Sequence, residues 1–178
     1  MIRRSSGFTL IEVMITVVIM IIALAVVIPS FRGVLQSNRI SGQANELMTA
    51  VQLARSEALK QGRPITICAA DTSASDPECG TSWAQGWMAV VDGEAVGSTD
   101  VDEVEVLRVW AAPRFGSTVT FSGDEPFLRY LPNGAVDLAT GTPPFQMALR
   151  IPDCIGNAAR NVEVARTGRA TVEQVECD

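Results

Sequence analysis

Between Glu12 and Arg32 the chain carries no charged side chain; the run is VMITVVIMIIALAVVIPSF. As an α-helix it measures roughly 28 Å, close to the roughly 30 Å of bilayer hydrocarbon. Three structures compete for such a run. A cleaved secretory signal has a shorter apolar core and then a small-residue site, and Ile28-Pro29-Ser30-Phe31 makes a poor one. A buried core helix this long needs a larger protein around it than 178 residues supply. A membrane-spanning helix over 8–31 fits best. Arg3 and Arg4 precede it with no acid, so the positive-inside rule sets the N-terminus in the cytoplasm and the remainder outside.

Composition narrows what the remainder does. Hydrophobic residues make up 47% of the chain, enough for a core and too many for a disordered chain. Setting aside Arg3 and Arg4 leaves 12 basic against 20 acidic residues, a net charge of −8. That balance argues against a general nucleic-acid binder. The chain has no histidine, which rules out Ser-His-Asp and Cys-His catalysis and His-ligated zinc. Lys60 is the single lysine and an unconvincing Schiff-base candidate. No catalytic constellation, metal site or cofactor motif is visible, so the chain reads as non-enzymatic.

Beyond Pro29 the helical pattern resumes. Ile40, Ala44, Leu47, Val51, Ala54 and Ala58 alternate at spacings of four and three, one apolar stripe on a helix. Gly62 followed by Arg63-Pro64 is a stop signal. From there the signals turn to strands, expected at 65–69, 86–92, 104–110, 118–121, 127–131, 135–138, 145–151, 161–166 and 169–175. Pro132-Asn133-Gly134 and Thr167-Gly168 read as hairpin turns. Stretches 71–80 and 92–102 read as exposed loops. The acids Asp100, Asp102, Glu103 and Glu105 lack a calcium-loop pattern and read as a solvated face. The fold class is α+β: a long N-terminal helix packed by its second half on an antiparallel β-sheet domain. The chain divides into a leader (1–7), a transmembrane helix half (8–31), an amphipathic half (32–62) and a β-rich domain (63–178).

Glu12 is the odd residue of the apolar segment, since an acid at a bilayer centre costs roughly 2.5–3.5 kcal/mol. Its context, Gly7-Phe8-Thr9-Leu10-Ile11-Glu12 after two arginines, resembles the leader signal of type IV pilins and type II secretion pseudopilins. The resemblance implies that a prepilin peptidase cuts between Gly7 and Phe8 and methylates the new amine of Phe8. It implies that Glu12 pairs with the amine of a neighbouring subunit during assembly, and that Pro29 kinks the helix. Leu53-Ala54-Arg55-Ser56-Glu57-Ala58, Trp83-Ala84-Gln85-Gly86-Trp87 and Tyr130-Leu131-Pro132-Asn133-Gly134 narrow it to the FimT/FimU minor pilins and the GspH pseudopilins. A minor pilin priming assembly or sitting at a pilus tip is the implied function; a secretion pseudopilin is the alternative. The implied partners are other pilins or pseudopilins, the peptidase, an inner-membrane assembly platform and membrane lipid. The implied location is the bacterial inner membrane, with the globular domain periplasmic, then an extracellular filament.

Four cysteines, Cys68, Cys79, Cys154 and Cys177, all fall on the exported side, which suggests two disulfides. Three connectivities are open, and local geometry favours the one that pairs Cys68 with Cys79 and Cys154 with Cys177. Cys68 ends one strand and Cys79 precedes the next. A hairpin about Thr167-Gly168 sets residue 160 against 175 and brings Cys154 near Cys177. Arg160, Arg166 and Arg169 surround that hairpin as candidate DNA contacts. Some DNA-binding FimT proteins, which this chain resembles, carry a C-terminal Gly-Arg-x-Arg. Here Gly168 and Arg169 match, but Thr171 stands where the second arginine would be, with Glu163, Glu173 and Glu176 nearby.

Overall fold

A computed structural model describes residues 9–73 and 76–177, leaving aside the side chains of 26–30. Gly7 and Phe8 therefore lie outside the described residues. Helix α1 runs without a break over Leu10–Gln61, 52 residues and roughly 78 Å at helical rise. It stops at Gly62, whose φ of 64° suits glycine and whose N–H donates to the Ala58 carbonyl. Among the described residues no helix is long and apolar enough to cross a membrane. Segment 8–31, expected to do so, is described only in part, and the Pro29 side chain falls in the gap.

All six stripe residues are buried, with Ala50 beside them. The three alanines of the stripe let α1 lie close to two antiparallel sheets. In the first, β1 (Ile65–Asp71) sits between β3 (Gly86–Asp92) and a shared edge: β6 (Phe127–Tyr130) pairs with its first half and β2 (Glu78–Gly80) with its last residues. The outer edge on the far side is β4 (Glu103–Ala111). The second sheet runs β5 (Thr118–Phe121), β7 (Phe145–Arg150), β8 (Ala159–Val164), β9 (Ala170–Val175). One core joins the helix stripe to Ile65, Ile67, Trp87, Leu128, Phe145, Met147 and Val162.

Three expectations are corrected. The strand expected at 135–138 is a single bridge, Tyr130 to Val136, followed by a 3-10 turn at Leu138–Thr140. Asp137 turns the chain there by accepting from the Ala139 N–H at 3.1 Å. Loop 71–80 contains β2, a strand too short for a periodicity signal. The last hairpin is one residue out of register: Arg160 faces Gln174, not residue 175. The Gly168 N–H closes a turn on the Ala165 carbonyl at 2.8 Å, and Gly168 adopts a φ of 76°. This makes a three-residue connection where a two-residue turn was expected.

Candidate functional site

The start of α1 is built by local chemistry. Thr9 is extended, and its Oγ1 accepts from the Glu12 N–H at 3.3 Å. Thr9-x-x-Glu12 has the capping-box spacing, a helix-start signal present in the sequence itself. The cap places Glu12 in the first turn, where exposed helix N–H groups favour a negative charge. Every side chain from Leu10 to Ala25 is exposed. Glu12 has no ion-pair partner among the described residues.

Polar side chains then fasten the helix from Gln36 onward. Gln36 Nε2 donates to the Asp153 carbonyl at 2.9 Å, and its Oε1 accepts from the Ile155 N–H at 3.1 Å. Arg160 on β8 donates to Ser37 Oγ at 2.9 Å and Ser41 Oγ at 3.1 Å. Gln43 donates to the Arg114 carbonyl and accepts from Ser117 Oγ, at 2.9 and 2.6 Å. Arg55 donates to the carbonyls of Gly134 and Thr167, at 3.1 and 2.9 Å. Residues from three separate motifs, around Arg55, Gly134 and Gly168, thus meet at one junction. The approach is so close that a Cβ at residue 168 would lie 1.9 Å from the Gly134 oxygen. Tyr130 lies under this junction with no partner for its hydroxyl among the described residues, and burial raises its phenol pKa well above the ordinary value.

A buried ionic cluster fixes the acidic loop. Arg129 Nε pairs with Asp92 Oδ2 at 2.8 Å, and both side chains are fully buried. Arg129 also reaches Asp137 Oδ2 at 3.5 Å, the Ser98 carbonyl at 2.6 Å and the Asp100 carbonyl. Asp92 accepts further bonds from Thr66 Oγ1 at 2.6 Å and from the N–H groups of Glu94 and Asp102. The sequence places Asp92 at the head of a solvated loop; the structure makes it the anchor of that loop. The one signal available was Arg129 inside an otherwise apolar strand, Phe127-Leu128-Arg129-Tyr130.

Disulfides join Cys68 to Cys79 and Cys154 to Cys177, each with Cα atoms 5.5 Å apart. The first ties β2 to β1. The second ties the end of the chain to the loop that Gln36 grips. The three arginines expected at one surface are placed differently. Arg160 is buried against α1, and loss of solvent lowers its guanidinium pKa, so it is withdrawn from the proposed DNA surface. Arg166 and Arg169 are exposed at the hairpin. Among the described residues no group of three or more Cys, Asp or Glu is placed to hold a metal ion.

The long helix laid by its second half on two antiparallel sheets has known counterparts. A family model described as type II transport protein GspH matches residues 43–168. The chain belongs to the GspH family. A second model, the prokaryotic N-terminal methylation motif, matches residues 2–28. In GspH terms the first match covers α1 from Gln43 onward and every strand but β9, and the second covers the bare half. No curated protein matches the chain. Two crystal forms of the type IV minor pilin FimU from Pseudomonas aeruginosa PAO1 share the fold at 24% identity. One has a TM-score of 0.56 and covers 76% of this chain and 89% of FimU. The other has a TM-score of 0.53, covering 75% and 91%. As a member of the GspH family the protein is a structural, non-catalytic subunit.

Proposed function

We propose that this GspH-family chain is a minor type IV pilin, a filament subunit that primes assembly or sits at a pilus tip. The observation that carries the reading is the bare helix half: an apolar surface over residues 10–25, with Glu12 in its first turn, that the described residues leave uncovered. Such a surface is stable in lipid or among like helices, and not in water. In this reading 1–7 is a leader removed between Gly7 and Phe8, Phe8 is methylated, and 8–31 spans the inner membrane before entering the filament core. Residues 32–62 and 63–178 then form the periplasmic head. Glu12 pairs with the amine of a neighbouring subunit, and Pro29 bends the shaft. The fold shared with FimU supports a pilus. The alternative, a pseudopilin of type II secretion, uses the same helix. Deleting the gene separates them: loss of twitching and surface filaments supports the first, and loss of exoprotein secretion with pili intact overturns it.

A DNA receptor is a further alternative. With Arg160 engaged by Ser37 and Ser41, the hairpin offers Arg166 and Arg169, beside Glu163 and Glu173. We expect no retardation of duplex DNA at moderate salt. Retardation abolished by Arg166→Ala with Arg169→Ala would reinstate DNA binding.

A further inference from the structure

We propose that the cleft between the Trp83 turn and β5 is a strand-docking site, which accepts an extended segment of a protein partner carrying basic and apolar side chains in alternation. The cleft has a volume of about 530 Å³ and is lined along one side by all four residues of β5. β5 is an edge strand, hydrogen-bonded only to β7. Among the described residues no backbone hydrogen bond reaches it from the cleft side. An open edge of this kind recognises an extended chain through main-chain hydrogen bonds, while the cleft walls select its side chains.

The walls specify the occupant. Trp83 and Phe121 line the cleft with ring centroids 5.6 Å apart, and Trp83 is nine-tenths buried. Gly123 is required beside them, because a Cβ there would lie 2.4 Å from the Phe121 ring. Apolar side chains of the incoming strand meet these rings. Asp124 and Glu125 also line the cleft, no basic residue does, and neither carboxylate is ion-paired among the described residues. A lysine or arginine on the incoming strand supplies the missing charge. The site does not depend on the bare helix half or on which filament system the chain serves.

The test uses the full chain in detergent micelles and a fluorescent, end-blocked hexapeptide of alternating valine and lysine. Fluorescence anisotropy is expected to show saturable binding at or below about millimolar peptide. Two N-methylated versions of the peptide, blocking the N–H groups of one strand edge or the other, provide the decisive comparison. One should bind about tenfold more weakly while the other binds like the parent, because only one edge faces β5. Asp124→Asn with Glu125→Gln should weaken the parent peptide about tenfold, and a valine–glutamate peptide should not bind. Absence of saturable binding overturns the proposal, as does equal binding of both N-methylated peptides. So does competition by an end-blocked single lysine at the same concentration, which would indicate a simple cation site.

Discussion

Within α1, residues 40–58 bury a full stripe against two sheets, whereas residues 10–25 bury nothing. The first stretch pairs an alanine-rich inner face with polar side chains that grip loop carbonyls. The second is apolar on every side, apart from Glu12 and Thr16, which are both exposed. A helix can be amphipathic where it meets its own chain and uniformly apolar where it meets other chains or lipid. The boundary falls near Gln36, the first side chain to hold the domain. Head and shaft are therefore separable in their physics while continuous in their backbone.

The comparison makes a graded set of expectations for urea unfolding of the detergent-solubilised chain. The largest loss belongs to Arg129→Met, which leaves Asp92 buried without its cation and should cost about 3–5 kcal/mol. Adding Asp92→Asn should recover part of it. Next, Cys154→Ser or Cys177→Ser should cost about 3 kcal/mol and free one titratable thiol. Peptide mapping that finds Cys68 joined to Cys154 or Cys177 would contradict the pairing. Arg55→Ala should cost about 1–2 kcal/mol, because the Gly134 and Thr167 carbonyls lose their donor. Arg55→Lys should not restore both bonds, since an ammonium lacks the planar fork.

Smaller effects sharpen the same contrast. Because Tyr130 has a raised pKa, the native state keeps its proton when the unfolded chain has lost it. That contribution is intact below about pH 10 and is lost as pH climbs past it toward the folded value. Tyr130→Phe should flatten the alkaline decline and, with no hydroxyl partner to lose, change neutral stability by under about 0.5 kcal/mol. The smallest effect on the head is expected from Glu12→Ala, under about 0.5 kcal/mol. That variant should still enter the membrane and be cleaved, yet be missing from sheared filament fractions by immunoblot. A loss of head stability with Glu12→Ala would erase the division of the helix into two regimes.

What was legible in the sequence follows from what periodicity encodes. The stripe from Ile40 to Ala58 was readable because each member faces the same core. Most strands were readable for the same reason, and Phe145, Met147 and Leu149 alternate inward as their spacing implies. Glu12 stood out because a charge inside an apolar run is costly. The split into two sheets was not readable, because strand order depends on which edges β1 offers to β2 and β6. The roles of Arg129, Arg160 and Gln36 were equally hidden. Each bonds to residues far along the chain, and a single long polar side chain carries no sign of whether it faces water or a buried carbonyl. The hairpin register slipped for a purely local reason, one residue more in the turn at Gly168.

The polar fasteners also impose an order on events. Gln43 meets residues 71 and 74 positions later, Arg55 reaches 79 and 112 positions ahead, and Gln36 and Ser37 reach 117 and 123. Contacts this remote form late, because a long loop must close before any of them is made. The helix leaves the ribosome first and is secured last, after β8 and the final turn have arrived. Until then its alanine stripe is as bare as its N-terminal half, and the newborn subunit has two greasy faces where the finished one has a single one.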